Sequence, residues 1–229
     1  CLPDFNSSSV FAKILDDKKG GSFNIEPVGD FKIAQKYINR TNILMTRYEE
    51  GNNIFEVIDF MPRYKTEHKE YQNPPDIIRF IRYVSGSPKI KVVFDPKLNY
   101  AINGTGFSTH KEYLKSKTKK GQYESVYLYS DIRKDYIKKQ TVFTLKREMF
   151  LLLSYNQKII KPDLARIKLE FHRTRVYWLN WVEKTPKLKK YNDQIIRSSL
   201  VLKLLTYQKT GAILAAVTTS LQETIGEER

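Results

Sequence analysis

Residues 191–229 read YNDQIIRSSLVLKLLTYQKTGAILAAVTTSLQETIGEER, and the first half of that stretch decides how the rest of the chain is understood. Ile195, Ile196, Leu200, Leu202, Leu204 and Leu205 fall within about three turns of a helix with 3.6 residues per turn. Val201 adds an apolar side chain off the main stripe, so the expected helix is greasy on more than one face. Such a helix normally lies between other helices. Gly211 breaks the pattern, and residues 212–217 form a second, shorter apolar segment. Thr218, Thr219 and Ser220 follow as capping types, with Glu223 at the capping-box offset from Ser220. A helix of buried type with no later helices to bury it, in a chain opening on Cys1 rather than Met, leads to the expectation of a piece of a larger protein.

Upstream, Pro162-Asp163 opens a helical stretch reaching residue 182, with Ile167, Phe171, Thr174, Tyr177, Trp178 and Trp181 on related faces. Residues 184–190, with Pro186, make a basic joint between the two helices. Before residue 160 the texture is different: short β-rich runs divided by turn residues. A Ser-rich start with Val10, Phe11, Ile14 and Leu15 predicts one short capped helix over residues 7–16, ended by Gly20-Gly21. Residues 42–49 and 54–61 read as a hairpin around Gly51-Asn52-Asn53, and residues 76–84 and 89–95 as a second around 85–88. Pro88 belongs to that turn because it cannot donate to a central ladder. Residues 122–130 alternate Tyr123, Ser125, Tyr127 and Tyr129 against Val126 and Leu128, and residues 141–155 hold two more strands. The expected fold is mainly β: an antiparallel sandwich of about ten strands, then a linker helix and a further helix.

Forty Lys and Arg against 25 Asp and Glu give a net charge of +15. That balance raises nucleic acid as a partner, but the lysines are spread through runs such as 115–120 and 184–190 that read as solvated loops. The Tyr and Lys of residues 123–136 could stack on single-stranded bases, yet the same alternation is what a half-buried strand shows, and the strand is preferred. One Cys excludes an internal disulfide and argues against structural zinc. His68, His110 and His172 lack metal-type spacing. The run 200–217 is interrupted by Lys203, Gln208, Lys209 and Thr210, so no membrane span is expected. Gly104-x-Gly106 is a turn rather than a phosphate loop, and the adjacent acids at 16–17, 49–50 and 227–228 cannot share a face. From the residues alone no active site is visible.

Several stretches, taken in order, supply what the pattern lacks. Residues 1–6 (CLPDFN), 9–17 (SVFAKILDD), 20–25 (GGSFNI), 37–44 (YINRTNIL) and 57–62 (VIDFMP) resemble the N-terminal part of microbial family-15 glycoside hydrolases, the glucoamylase and trehalase-like group. Thr174, Tyr177-Trp178 and Trp181 resemble that family's interdomain helix. Residues 197–207 (RSSLVLKLLTY), 210–216 (TGAILAA) and 218–223 (TTSLQE) resemble the first helix of its catalytic domain and the loop after it. The resemblance implies an N-terminal β-supersandwich over 1–160, incomplete at its start, a linker helix over 161–190, and over 191–229 the beginning of an α/α six-barrel whose remainder is absent. It also implies hydrolysis of α-glucosides with inversion by two Glu residues, one protonating the leaving oxygen and the other activating water, about 6.5–9.5 Å apart. No cofactor is needed for that chemistry.

No Glu of this sequence falls on either catalytic position, so no catalytic residue is assigned. The resemblance brings Thr218, Thr219 and Ser220 nearest to a substrate site, at the lip of the barrel, although a simple helix-end cap explains them as well. The expected partners are the remainder of the barrel and an α-glucoside, with no membrane and no nucleic acid. An intracellular bacterial location is expected. The competing reading is a basic β-sandwich binding module for nucleic acid or glucan.

Overall fold

The computed structural model describes residues 2–215 apart from Phe5, Lys69, Lys187 and Lys209. The strands in chain order are β1 (Ser22–Pro27), β2 (Lys32–Tyr37), β3 (Leu44–Glu50), β4 (Asn53–Phe60), β5 (Tyr64–Lys65), β6 (Tyr71–Gln72) and β7 (Asp76–Ser85). They continue as β8 (Lys89–Asp95), β9 (Thr105–Thr109), β10 (Tyr113–Thr118), β11 (Ser125–Ser130), β12 (Phe143–Thr144) and β13 (Met149–Tyr155). A short helix, α1 (Lys134–Lys138), precedes β12, and two longer ones, α2 (Leu164–Glu183) and α3 (Asn192–Leu205), follow β13.

Eight strands form one sheet in the order β2-β3-β4-β7-β13-β11-β10-β9, and three form a second, β1-β8-β12. Strands β5 and β6 make a separate small hairpin. All the strand pairings are antiparallel. The two larger sheets share one core: Ile25, Ile90, Val92 and Phe94 of the small sheet meet Phe55, Val57, Ile81, Val126, Leu128, Leu151 and Leu153 of the large one. The large sheet is buried on its other face as well. There Ile58, Phe60, Ile78, Phe80, Tyr127, Tyr129, Phe150 and Leu152 pack with Ile167, Trp178 and Val182 of α2 and Leu200 of α3. Successive side chains of a strand point to opposite faces, so the unbroken apolar run of β13 feeds both cores alternately. The mainly β sandwich followed by helices is therefore what the chain forms.

Two expectations are corrected. Residues 76–84 and 89–95 are both strands, but they do not pair. β7 lies between β4 and β13 in the large sheet, whereas β8 lies between β1 and β12 in the small one. The chain crosses between layers at residues 86–88, where Gly86 takes φ 75 and a Cβ would stand 2.5 Å from the Asn52 carbonyl oxygen. Ser87 N–H donates to Asn53 Oδ1 at 2.8 Å, tying the crossing to the β3–β4 turn. Both long edges of β7 are occupied, and β8 buries Ile90, Val92 and Phe94 on a single face, which suits an outer layer.

The helix expected over 7–16 is a set of turns. Val10 is 1% exposed in the sandwich core while Ile14, one helical turn later, is 88% exposed, so the two do not share a buried stripe. The Asp16 carboxylate instead accepts the Lys18 and Lys19 amides at 2.9 and 2.8 Å, which also holds it below the usual carboxylate range. The loop closes through Ala12 N–H to the Gly20 carbonyl at 2.7 Å, an approach that leaves no space for a Cβ at Gly20.

Candidate functional site on the helix-bearing face

The helices occupy the face of the large sheet that the small sheet leaves free. Asp163 caps α2, its Oδ1 accepting the Arg166 amide at 2.8 Å. Ile167, Thr174, Trp178 and Val182 then recur at spacings that keep one stripe against the sheet. The buried Thr174 hydroxyl accepts the Arg63 amide at 3.1 Å and so fixes the chain that leaves β4.

α3 is held to α2 through Trp181, whose Nε1 donates to Ser199 Oγ at 3.0 Å, and through the Thr185 and Ser199 hydroxyls at 3.0 Å. It is held to the sheet by the loop between β2 and β3. Arg197 donates to the Thr41 carbonyl at 3.2 Å and to Asn42 Oδ1, and its guanidinium lies 4.2 Å from the Tyr37 ring centroid. Asn42 Nδ2 returns a bond to the Leu200 carbonyl at 2.9 Å, and Arg40 pairs with Glu183 at 2.9 Å. The stretch 37–44 and the stretch 197–200 thus form one clamp. Asn42→Ala leaves the Arg197 fork and the Leu200 carbonyl short of a partner, and a loss of about 1–3 kcal/mol is expected in urea unfolding.

A large apolar surface stays open. Of the α3 side chains only Leu200 is buried, while Val201, Leu202 and Leu204 are 41%, 51% and 47% exposed. Beside them lie two depressions. One, of about 440 Å³, lies between the β5–β6 hairpin and α2 and is lined by Tyr64, Tyr71, His172, Tyr177 and Trp181 among others. The other, of about 530 Å³, lies where α2 meets α3 and includes Trp181, Thr185, Ile195, Ser199 and Leu202. Tyr71 meets Tyr177 edge-on at 6.4 Å, and Arg63 lies over the Tyr177 and Trp178 rings at 5.4 and 5.6 Å. The hairpin has no counterpart in the sequence reading, because strands of two residues carry no periodicity. Tyr64 and Tyr71 flanking a polar stretch were its only signal.

No Asp or Glu is among the residues lining either depression. Buried carboxyls on this side include Asp76, at the start of β7, and Glu170, on α2, besides Glu56 of β4, which pairs with Arg47 and Arg82. Burial pushes Asp76 and Glu170 above the usual carboxylate range, and the charge of Asp76 raises Glu170 further while Arg173 and Arg166 pull it down. Neither of these two lines the depressions, so they do not form an acid and base pair facing a ligand. They do make stability pH-dependent. A folded value above the unfolded one means that this contribution is complete below the ordinary carboxylate range and is lost as pH rises through the raised value. Glu170→Gln removes the charge, so urea unfolding should show the variant gaining on the wild type as pH rises above about 4.3, the ordinary Glu value.

Among the described residues no group of three or more His, Cys, Asp or Glu converges as metal ligands, and no helix is long and apolar enough to cross a membrane. His110 bonds to Ser108 at 3.0 Å, far along the chain from His172 beside α2. Tyr127 and Tyr129 face the helix-side core, as a half-buried strand requires, whereas Tyr123 lies outside β11. Thr218, Thr219 and Ser220 lie outside the described residues.

A family described as trehalase-like, N-terminal, matches residues 1–140, which run from the first turns through the β1–β11 strands to α1. The chain belongs to the trehalase-like N-terminal family. Trehalase-like sequences also match beyond residue 140. A trehalase of Thermoplasma acidophilum is 32% identical over 243 residues, covering 100% of this chain and 40% of its own length. Trehalase 2 of Sulfolobus acidocaldarius is 32% identical, and a Mycobacterium tuberculosis trehalase 25% identical, each again matching the whole chain. The chain spans 37–40% of the length of these trehalases. The trehalase-like domain described here is thus similar to part of longer proteins, and α2 and α3 fall within the matched part.

Proposed function

We propose that this chain is the N-terminal β-sandwich portion of a longer hydrolase of trehalose or related α-glucosides, and that it braces the catalytic part without carrying the reaction. The observation that carries the reading is the open apolar side of α3, in a chain whose trehalase relatives are more than twice its length. On this reading residues 1–160 are the brace and 161–190 the linker. Residues 191–229 begin an α/α barrel whose later helices cover Val201, Leu202 and Leu204. Covering about 100 Å² of such apolar surface contributes about 2.5 kcal/mol to packing the later helices on this face.

The chemistry in this reading is inverting hydrolysis by a carboxylic acid and a carboxylate, both supplied by the rest of the protein. Thr218, Thr219 and Ser220 would support the sugar site from the barrel's first loop. Trehalose is preferred to starch-type glucans as substrate because the relatives named above are trehalases.

The test uses two proteins: the 229-residue chain, and a chimera in which it replaces the matched two fifths of the Thermoplasma acidophilum trehalase. The chain alone is expected to release no glucose from trehalose, and the chimera to release it. Glucose release by the chain alone, or a folded chimera that cleaves maltose or starch but not trehalose, overturns the corresponding part of the proposal.

A further inference from the structure

The groove along α2 and α3 carries a charge pattern that apolar packing does not explain. Lys65 Nζ lies 4.6 Å from the Tyr71 ring centroid and Lys203 Nζ 4.7 Å from a Trp181 ring, while Arg63 covers Tyr177 and Trp178. Lys184 lines both depressions. Among the described residues, Arg63, Lys65, Lys184 and Lys203 make no ion pair with a carboxylate.

The acids on the same helices have other cationic neighbours, and Arg173, beside Glu170, itself lines the first depression. Glu183 pairs with Arg40, and Glu170 lies 3.8 Å from Arg173. Asp193 lines a separate depression with Arg40 and Arg197. Burial pushes the Lys203 amine below its ordinary range, and the neighbouring Arg63 and Lys65 push it further. Asp4 lines a further depression beside Arg63, whereas among the described residues Lys65 and Lys203 have no carboxylate within ion-pair distance. Cations grouped in this way over aromatic rings repel one another, and a carboxylate placed among them relieves that repulsion.

The shape says what kind of partner brings the carboxylate. The two depressions share Trp181 and Lys184 and so adjoin, giving an apolar run from the β5–β6 hairpin to Leu202. Arg63 and Lys203 lie beside it, over the Tyr177 and Trp181 rings of its lining. The run continues into the exposed side of α3, which is longer and more apolar than a single free anion requires. The relatives extend well beyond the two fifths that this chain matches, which supplies a polypeptide to fill it.

We propose that the groove seats a carboxylate-bearing stretch of the polypeptide lying outside these 229 residues in the longer protein, with Asp or Glu side chains entering between Arg63, Lys65 and Lys203. The proposal rests on the reading of the chain as part of a longer hydrolase and adds the chemistry of the contact. Aromatic rings give the interface its apolar area, and the cations give it register and partner choice.

The experiment compares Lys65→Glu with Lys203→Glu, combined, in the 229-residue chain and in the chimera, by thermal unfolding at low and at high salt. A neutral pair, Lys65→Gln with Lys203→Gln, separates loss of attraction from new repulsion. In the chain alone the reversal is expected to leave the unfolding temperature unchanged or to raise it. In the chimera it is expected to lower it, with the neutral pair intermediate. The difference should shrink in about 1 M salt, where the screening length is about 3 Å.

A chimera indifferent to the reversal overturns the proposal, and so does an equal loss in the chain alone. Stabilisation of the chain by inorganic phosphate or by an oligonucleotide, abolished by the reversal while the chimera stays unaffected, overturns it in favour of a free anion or nucleic acid. Turnover is recorded separately. A charge-sensitive chimera that cannot hydrolyse trehalose keeps the interface and removes the substrate reading, and an active but indifferent chimera does the reverse.

Discussion

Replacing Trp178 with Ala is expected to cost about 3–5 kcal/mol in urea unfolding of this chain, the usual range for emptying a buried aromatic site. Trp178 is 3% exposed and belongs to the core between α2 and the large sheet, with Ile78, Phe80, Phe150 and Leu152. The surrounding strands belong to an eight-stranded ladder paired on both sides, so they cannot collapse inward to fill the gap. The Arg63 guanidinium also loses one of the two rings beneath it. That loss is a large share of a typical stability of about 5–15 kcal/mol. The variant should therefore free α2, and with it the Trp181 bond to Ser199, before the sandwich opens. Since the chain has only two Trp, the remaining Trp181 reports this as a red shift of fluorescence at urea concentrations where β-sheet circular dichroism persists. A single transition with wild-type midpoint would refute the packing role.

Phe55→Ala is expected to cost about as much, about 3–5 kcal/mol, by a different route. Phe55 is fully buried on the opposite face of the same sheet, stacked on Tyr48 at 4.5 Å and met edge-on by Phe31 at 5.8 Å. Its loss opens the core between the two sheets while leaving α2 in place. Near-native Trp fluorescence should then persist up to the main transition, at a lowered midpoint. If the two variants showed the same order of events, the two cores could not be regarded as separate supports for the sheet.

Much of this architecture could be read in the sequence because local chemistry decided it. The β3–β4 hairpin follows from Gly51, at φ 54, between two alternating runs. The cap at Asp163 and the stripe through Trp178 fix α2. β11 and β13 were legible from alternation and from continuous apolarity. What failed was non-local. Nothing in residues 76–95 says that two strands joined by a turn part company, because that depends on β4 and β13 taking both edges of β7. The first turns misled because Val10 and Ile14 have helical spacing but different destinations.

The face around α3 was legible only in part. Its excess of apolar residues showed in the sequence, and Leu202 and Leu204 are indeed exposed. The clamp from Asn42 to Arg197 and the convergence of Arg63, Lys65 and Lys203 join residues more than 130 positions apart, so spacing could not reveal them. Thr218, Thr219 and Ser220 rest on resemblance alone.

The central claim is that the open side of α3 and the β5–β6 hairpin is the seat of the catalytic part. Hydrogen exchange measured residue by residue, in the chain alone and in the chimera, tests it most directly. Joining the remainder should slow exchange in Asn192–Leu205 and in Tyr64–Lys65, while β1 and β8, on the far side of the sandwich, exchange as before. A chimera that hydrolyses trehalose with α3 exchanging as fast as in the chain alone would contradict the account.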